Sequence, residues 1–264
     1  MFPELDLGLF SIDLYTVMIV IGLILAMLMF RYLARANKLP EEVWRKYLQI
    51  TLLSAIAGFL SAVLFQSVYN FFETRKFEIG GMTFIGGLLG GVAAFFILFK
   101  FMATKSEKTY LRVCAQYLLI SIVIAHFFGR IGCFLAGCCY GKPTDSFLGL
   151  DFPGLGHIHP TQLYEAVLLL GIFLACFKFK KHTLYIYPIA YGVGRFIIEF
   201  FRDDERGANF FGVLSPSQFW SILMVIAGAV LIFLLNRRSI PKEEKIAEEI
   251  VEEIPQKDND TKNT

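Results

Sequence analysis

Two arginines lie in segments of the chain that are otherwise strongly apolar. Arg130 stands in the sequence AHFFGRIGCF and Arg195 in AYGVGRFIIEF. An arginine near the middle of a membrane span costs about 2.5–3.5 kcal/mol on insertion scales, so each guanidinium needs a partner, a wet cavity or a route to the headgroups. Gly129, Gly132 and Gly137 around Arg130 leave room for a ligand. Two converging guanidinium groups would form a receptor for a phosphate, because each offers a planar fork of donors.

Further polar residues lie near these arginines in the sequence. His126 precedes Arg130 by four residues and therefore shares its helix face, although packing explains this histidine as well as catalysis does. The segment HPTQLYEA supplies His159, Gln162 and Glu165. Glu165 lies near the start of a predicted helix, where it can stabilise the N-terminal turn or pair with an arginine.

Three other residues give weaker signals. Tyr15 and Tyr191 are typical of the aromatic belts at membrane interfaces, and neither alone indicates a site. Glu199 follows Arg195 by four residues, which makes it a candidate ion-pair partner on the same helix face.

The five cysteines cannot form a complete disulfide framework, because their number is odd. Cys133, Cys138 and Cys139 invite a metal interpretation, but the pattern C-x4-C-C has no second pair and fits neither common zinc pattern. A disulfide among them would suit an oxidising side of the membrane, and small buried thiols fit equally well. We therefore expect no metal and no other cofactor, and the state of these thiols stays open.

The composition is that of a membrane protein. Of the 264 residues, 56% are hydrophobic and only 18% are charged, whereas soluble domains carry about a quarter charged residues. The net charge of +2 gives no indication of a nucleic acid partner. Since about 20 apolar residues cross a bilayer, the sequence predicts seven spans: Ser11–Leu33, Tyr47–Tyr69, Gly81–Met102, Val113–Leu135, Thr161–Phe177, Leu184–Phe201 and Val213–Leu235.

Lysine and arginine are concentrated in alternate connections between these spans. The first, third and fifth connections and the segment after the last span are basic. The N-terminal segment and the second and fourth connections carry few basic residues, and the sixth mixes them with acidic ones. Because cytoplasmic loops are enriched in positive charge, we predict an all-α polytopic membrane protein with seven transmembrane helices, its N-terminus outside and its C-terminus in the cytoplasm.

The chain divides into a membrane domain over residues 1–238 and a charged tail over 239–264, which we expect to be disordered. The Gly- and Pro-rich stretch Ala136–His159 is expected to form a small extracytoplasmic head region. The first apolar run, from Ser11, has an acidic flank and is long enough to span, so we expect a retained anchor rather than a cleaved signal peptide.

On this topology both arginines fall in the outer halves of their spans. Since the abundant phosphates of a bilayer belong to phospholipids, the pair predicts a phospholipid-headgroup site that opens to the outer face. A small-solute transporter or channel would also fit the span count and a wet arginine cavity. Against that class, no internal repeat is visible and seven spans do not divide readily into inverted halves.

Five segments resemble the prolipoprotein diacylglyceryl transferase family. GRIGCFLAGCCYGKPT (Gly129–Thr144) resembles its signature, and LYTVM, with Tyr15, resembles its first-span motif. GGMTFIGGLLGG (Gly80–Gly91), HPTQLYE (His159–Glu165) and YGVGRFIIEFFR (Tyr191–Arg202) resemble three further blocks. The matches follow the family's order and cover most of the chain apart from the tail.

The resemblance implies transfer of the diacylglyceryl group of phosphatidylglycerol to the lipobox cysteine thiol of a preprolipoprotein signal peptide, with release of glycerol-1-phosphate. It implies a multi-pass protein of the bacterial cytoplasmic (inner) membrane, whose partners are phosphatidylglycerol, preprolipoproteins and membrane lipids, and not nucleic acid. By position, it makes Arg130 and Arg195 the essential arginines, Tyr15 and Tyr191 the motif tyrosines, and Gly141 the signature glycine. We assign catalysis to Arg130, Arg195, Tyr15, His126 and His159, and phosphatidylglycerol binding to Arg130, Arg195, Tyr191, Gly141, Gln162 and Glu165.

The sequence departs from the family pattern at three positions. Many relatives have histidine where this chain has Ile85, and the signature's usual asparagine and acidic residue are Cys133 and Cys138. Ile85 cannot act as a base. The acceptor thiol is then activated by another group, with His126 and His159 as candidates, or by the arginine field alone, or the chain is a divergent relative with another acceptor or a binder of anionic phospholipid.

Overall fold

The computed structural model describes residues 4–6, 11–75, 81, 83–203 and 214–237. Within these ranges the chain is predominantly helical, with seven helices of at least 17 residues and one short helix, α4. In chain order they are α1 (Leu14–Ala36), α2 (Glu41–Thr74), α3 (Phe84–Met102), α4 (Lys105–Thr109), α5 (Leu111–Leu135), α6 (Thr161–Lys178), α7 (Thr183–Glu199) and α8 (Pro216–Arg237). A 3-10 turn, Lys180–His182, connects α6 to α7.

Two short antiparallel hairpins interrupt the helical pattern. Strand β1 (Glu4–Asp6) pairs with β2 (Ser11–Asp13), and β3 (Leu150–Phe152) pairs with β4 (Gly156–Ile158). Residues Ser11–Asp13, which we predict as the start of the first span, are therefore a strand. Segments of three residues are too short for a periodicity argument to separate strand from helix.

Asp13 fixes the start of helix α1. Its carboxylate accepts hydrogen bonds from the backbone N–H groups of Tyr15 and Thr16, both at 3.1 Å, and from the Thr16 hydroxyl at 2.6 Å. These bonds satisfy donors that the first helical turn leaves unpaired. The hydrogen bonds from Thr16 and Tyr15 lower the pKa of Asp13. The cap therefore sets the position of Tyr15 in the first turn of α1.

Five of the helices, α1, α2, α5, α6 and α8, are long and apolar enough to cross a membrane. Helix α3 has a shorter apolar segment, Gly86–Met102, and the 17-residue α7 contains Pro188, Arg195 and Glu199. The chain is thus a helical membrane protein with several spans. The tail that we predict over residues 239–264 lies outside the described residues.

Large apolar side chains cover much of the helical surface. Phe72 on α2 and Phe101 on α3 are 70% and 78% exposed, and α1, α6 and α8 carry exposed leucines. Soluble monomers rarely expose apolar patches this extensive. The surface is therefore suited to contact with lipid chains.

Neighbouring long helices pack as pairs at small residues. Gly22 of α1 lies against Ala125 and Phe128 of α5, and Gly58 of α2 lies against the backbone of Gly87 on α3. Such residues let helix backbones approach closely in a membrane, where packing rather than the hydrophobic effect drives association. Helices α7 and α8 pair in the same way.

One end of the bundle holds the apolar core. Tyr47 is fully buried there and donates a hydrogen bond to the carbonyl of Glu107, at 2.9 Å. At the same end, Gln116 Nε2 donates to the carbonyl of Lys181, at 2.9 Å. The opposite end receives the start of α1, the end of α5, the start of α6, the end of α7 and the start of α8, and the polar residues singled out above lie there.

Candidate active site

A single buried carboxylate stands at the centre of the polar end. Glu165, on the second turn of α6, is fully buried. Its Oε1 lies 2.9 Å from Nε of Arg130, near the end of α5. The same oxygen accepts a hydrogen bond from the Tyr191 hydroxyl of α7, at 2.6 Å. Three helices therefore meet at one carboxylate oxygen, and the predicted pairing of Glu165 with an arginine is confirmed.

Arg195 of α7 approaches the same carboxylate from its other oxygen. Nε of Arg195 lies 3.9 Å from Oε2 of Glu165. Its Nη2 lies 2.6 Å from Oε2 of Glu199, one turn along the helix, and 3.0 Å from the Ser217 hydroxyl of α8. The predicted ion pair between Arg195 and Glu199 is thus confirmed. The two arginines, 65 positions apart in the numbering, flank one glutamate.

Arg202 joins the charged cluster from just beyond α7. Three guanidinium groups, those of Arg130, Arg195 and Arg202, face two carboxylates, Glu165 and Glu199. Arg195 and Arg202 are each 5% exposed, so solvent screens them little.

Several buried polar atoms have no hydrogen-bond partner within the part of the chain that the structure describes. They include Nη1 of Arg195, Oε2 of Glu165 and Oε1 of Gln162. Buried polar atoms in native proteins almost always have a partner, and an exception calls for an explanation such as a ligand. The guanidinium nitrogen of Arg195 is a donor suited to a phosphate oxygen.

Aromatic side chains form the wall beside Glu165. The rings of Tyr187 and Tyr191 stack with their centroids 5.5 Å apart, and the His126 ring lies 5.0 Å from that of Tyr191. Nε2 of His126 lies 3.7 Å from Oε1 of Glu165, and its Nδ1 lies 3.3 Å from the Tyr187 hydroxyl. His126 and Arg130 therefore face the same carboxylate, as their four-residue spacing predicts.

Tyr15 joins this end of the bundle from α1. A Cβ atom at Gly132 would lie 3.1 Å from Cδ2 of Tyr15, so the glycine lets the ring rest on α5 two residues beyond Arg130. Gly129 faces open space, since a Cβ atom added there would have no neighbouring atom within 4 Å. The ligand space predicted around Arg130 is filled by Tyr15 at Gly132, and at Gly129 it stays a prediction.

The head segment is anchored to the first turn of α6. Gln162 Nε2 donates to the carbonyl of Cys138 at 2.6 Å, and the Thr161 hydroxyl donates to the carbonyl of Cys139 at 2.8 Å. Hydrogen bonds with the thiols of Cys133 and Cys138, together with Arg202, lower the pKa of Cys139. The two carbonyl contacts tie the loop after α5 to the helix that carries Glu165.

Gly141, in the loop after α5, lies between His159, the first turn of α6 and the segment after α7. Its N–H donates to the carbonyl of His159 at 2.9 Å, and its backbone bridges to Arg202. A Cβ atom there would overlap the carbonyl oxygen of Phe201 and lie 2.8 Å from Cβ of His159 and from Cγ2 of Thr161. Only glycine fits this contact. The signature glycine therefore has a packing role here.

Replacing Gly141 with alanine is expected to destabilise the protein by about 1–3 kcal/mol, because the added methyl group overpacks the contact. Thermal unfolding of the detergent-solubilised chain measures the change. The control is Gly171→Ala on α6, where no atom lies within 4 Å of the new Cβ and alanine is the better helix former. Equal melting temperatures for the two variants would contradict the packing role.

His159 lies apart from His126. Its Nδ1 is 2.9 Å from the Tyr164 hydroxyl, which donates to the carbonyl of Leu148 at 3.0 Å, and its ring packs 5.1 Å from that of Phe201. No contact between His159 and the carboxylate of Glu165 occurs among the described residues. Of the two predicted base candidates, the structure brings only His126 to the arginine pair.

A comparison with known families decides the ancestry of this arrangement. The model of the family described as prolipoprotein diacylglyceryl transferase matches residues 4–234. The chain belongs to this family.

Curated members of the prolipoprotein diacylglyceryl transferase family resemble the chain over most of its length. A protein of Clostridium tetani named phosphatidylglycerol–prolipoprotein diacylglyceryl transferase is 31% identical over 84% of this chain and 92% of its own length. A protein of Clostridium perfringens with the same name and the number 2 is 32% identical over 87% and 93%. A transferase of that name from Erythrobacter litoralis is 29% identical over 93% of each chain.

Three of the segments that resemble the transferase family converge in the structure. Gly129–Thr144 supplies Arg130 and the loop with Gly141, His159–Glu165 supplies the central carboxylate, and Tyr191–Arg202 supplies the second arginine. A fourth segment, Gly80–Gly91, is described only in part and packs at the start of α3 against α2. Ile85 lies on α3, and its side chain is outside the described residues.

Sequence reasoning missed several members of the site. Ser217 and Tyr187 gave no signal, because a serine and a tyrosine in apolar helices are common and nothing in the sequence pairs them with Arg195 or with His126. Arg202 entered only as one charge of a mixed loop, yet it is 5% exposed and joins Glu199. Its place three residues beyond a helix glutamate at most suggested an ion pair.

Proposed function

We propose that the chain transfers the diacylglyceryl group of phosphatidylglycerol to the lipobox cysteine thiol of preprolipoproteins. The observation that carries this proposal is the meeting of Arg130 and Arg195 at Glu165, at 2.9 and 3.9 Å. The anionic oxygens of a phosphodiester are acceptors that guanidinium groups bind well. The names of the curated relatives support the same two substrates.

The proposed topology has seven spans, with the N-terminus outside and the C-terminus in the cytoplasm of a bacterial cell. It is supported by the distribution of lysine and arginine, which favour cytoplasmic loops. On the end of the bundle opposite Glu165 lie Arg31, Arg35, Arg45, Lys46, Lys100, Lys105, Lys108, Arg112, Lys178, Lys180 and Lys181. The arginine pair then opens toward the outer leaflet of the cytoplasmic membrane.

An apolar cavity in the surface of the helix bundle is suited to the acyl chains of the lipid. It has a volume of about 390 Å³ and lies between α1, α5 and α6. Phe127 and Phe128, which directly follow His126, form part of its wall, together with Leu28 and Phe173. A phosphate held by Arg130 would place the diacylglyceryl chains at such an apolar surface.

The site's electrostatics suit the transfer step. The thiol sulfur attacks a glyceryl carbon, the carbon–oxygen bond to phosphate breaks, and a carbon–sulfur bond forms. The phosphodiester, with one negative charge, leaves as a phosphomonoester with two. Arg130 and Arg195, fixed before the reaction by Glu165, Glu199 and Ser217, stabilise the charge that develops. Preorganised donors in a water-poor site need no reorientation when the bond breaks.

His126 is our candidate for the group that accepts the thiol proton. A thiol becomes a competent nucleophile as the thiolate, which a nearby base or cation favours. The position of Nε2, 3.7 Å from Glu165, supports this role beside the arginines. Tyr191 holds Glu165, Tyr15 borders the lipid phosphate, and Gln162 and Gly141 shape the loop above it. We assign His159 a structural role with Tyr164.

The purified chain, in vesicles of phosphatidylglycerol with a lipobox peptide, is expected to form a diacylglyceryl-thioether peptide and glycerol-1-phosphate. Mass spectrometry detects both products. Vesicles of phosphatidylcholine and a peptide with serine at the lipobox cysteine are the controls. Absence of both products, where a transferase of established activity forms them in parallel, would contradict the proposal. Phosphatidylglycerol binding without product would instead favour a divergent lipid-binding relative, in line with the isoleucine at position 85.

A further inference from the structure

Three cysteine side chains meet above the arginine pair. The sulfur atoms of Cys133, Cys138 and Cys139 all lie within 4.8 Å of one another. None of the three is in a disulfide; Cys133 is buried, Cys139 is partly buried and Cys138 is exposed. Cys133 lies in the last turn of α5, whereas the other two follow the helix, so the loop must fold back to bring the sulfurs together.

The backbone of the loop makes this fold-back. Gly137 and Cys139 have positive φ angles of 69° and 65°. The N–H of Cys138 donates to the carbonyl of Cys133 at 3.1 Å, which closes the helix end. Cysteine in the left-handed region is uncommon, because its Cβ crowds the backbone. The strained position turns the Cys139 side chain toward the other two.

The sulfur spacing is compatible with one shared metal ion. In a disulfide the sulfurs lie about 2.05 Å apart, and a third thiol would remain. Three thiolates on one tetrahedral zinc ion, each about 2.3 Å from the metal, lie about 3.8 Å from one another. A cluster within 4.8 Å reaches that spacing with shifts of about 1 Å. The exposed Cys138 leaves a route for the ion.

The surrounding charge also suits a thiolate cluster. Arg202 contacts Cys139 and is itself 5% exposed. Three thiolates around Zn²⁺ carry one net negative charge, which a neighbouring guanidinium balances.

We propose that Cys133, Cys138 and Cys139 bind one Zn²⁺ ion through three thiolates, with water at the fourth position. This reverses our sequence-based expectation of no metal, which rested on the missing second cysteine pair. The ion stabilises the loop whose carbonyls hold Gln162 and Thr161. It thereby fixes the end of α5 against the start of α6. The proposal rests on the three cysteines and not on the proposed transfer reaction.

Elemental analysis of the full chain, purified in detergent under reducing conditions and dialysed against Zn²⁺, is expected to find one zinc per chain. Cd²⁺ as a probe is expected to produce the ultraviolet charge-transfer band of cadmium thiolates. The test variant is Cys138→Ser, because the Cys138 side chain is exposed. We expect its metal affinity to fall more than ~100-fold. Losing a group that only orients a metal ligand already lowers the affinity 10–100-fold. A double Cys114→Ser, Cys176→Ser variant, which changes the two remote buried thiols, is expected to bind as the wild type does.

The response of the melting temperature to Zn²⁺ is a second measurement, which separates loss of the metal site from loss of folding in the variant. Zn²⁺ is expected to raise the melting temperature of the wild type and of the remote double variant, and a chelator to reverse the rise, while Cys138→Ser gives no response. Failure of the wild type to bind zinc would overturn the proposal. So would a disulfide among the three cysteines in the mass of the alkylated protein, or unchanged zinc binding in Cys138→Ser.

Discussion

Replacing Arg130 with lysine is expected to lower the transfer rate by at least ~100-fold even though the charge is kept, because removing one preorganised donor from a developing oxyanion costs about 10²–10³ in rate. Lysine offers one compact ammonium group in place of a planar fork. The arginine can donate to Glu165 through Nε and to a phosphate through its other nitrogens at the same time. The single lysine nitrogen cannot reproduce both contacts. Formation of the diacylglyceryl-thioether peptide in phosphatidylglycerol vesicles measures the effect.

Arg45→Lys is the matched control. Arg45 pairs with Glu41 at 2.6 Å on an exposed face of α2, at the opposite end of the bundle. Its replacement is expected to leave the rate unchanged, because exposed ion pairs contribute little. A fully active Arg130→Lys enzyme would refute a role for the guanidinium fork.

Replacing Glu165 with glutamine is expected to reduce the free energy of unfolding by about 3–5 kcal/mol, because it leaves two buried guanidinium groups without their shared carboxylate. The side chain keeps its size, so the loss reports charge rather than packing. Denaturation in detergent micelles gives the free energy, and the transfer assay is expected to show a parallel loss of activity.

A double-mutant cycle separates pairing from general damage at this position. Arg130→Gln is expected to lower the free energy of unfolding less in the Glu165→Gln background than in the wild type. The reason is that the two side chains interact directly, so their effects are not additive. Glu41→Gln, which breaks the exposed pair with Arg45, is the control and is expected to change stability by less than about 1 kcal/mol. Additive losses in the cycle would contradict the ion pair.

The helical membrane architecture is predictable from the sequence, because long apolar runs have few alternatives in a bilayer. The seven long helices follow the seven predicted segments, with shifted ends, and the short α4 matches none of them. Helix α2 extends over Glu41–Thr74, whereas the predicted span is Tyr47–Tyr69. The prediction misses the first turn because that turn is acidic and hydropathy alone does not include it. The start of α1 is set by the Asp13 cap, a local hydrogen bond that hydropathy does not register.

The arginine pair could be predicted because charge in an apolar segment requires a partner. That Glu165 would be the shared partner could be suggested but not chosen, since several polar residues fitted the role. Ser217 was beyond reach, because its contact with Arg195 depends on how α8 packs against α7. Such contacts between helices depend on crossing geometry, which spacing along one chain does not determine.

The cysteine cluster shows the same limit. The spacing C-x4-C-C does not predict where the three sulfur atoms lie, because the loop after a helix can leave in many directions. The positive φ angles of Gly137 and Cys139 set the direction of the loop and so bring the sulfur atoms together. Glycine after a helix is a recognisable signal for the first of these, whereas a cysteine in that conformation has none.

Binding of phosphatidylglycerol to the purified chain is the most direct test of the central claim that Arg130 and Arg195 together hold one lipid phosphate. Calorimetric titration in detergent micelles gives the dissociation constant for the wild type, Arg130→Ala, Arg195→Ala and the control Arg45→Ala. Each of the first two variants is expected to bind about 10–100-fold more weakly, because a hydrogen bond to a charged group contributes about 1.5–3 kcal/mol, while the control binds as the wild type does. Equal affinity in all four proteins would contradict the claim.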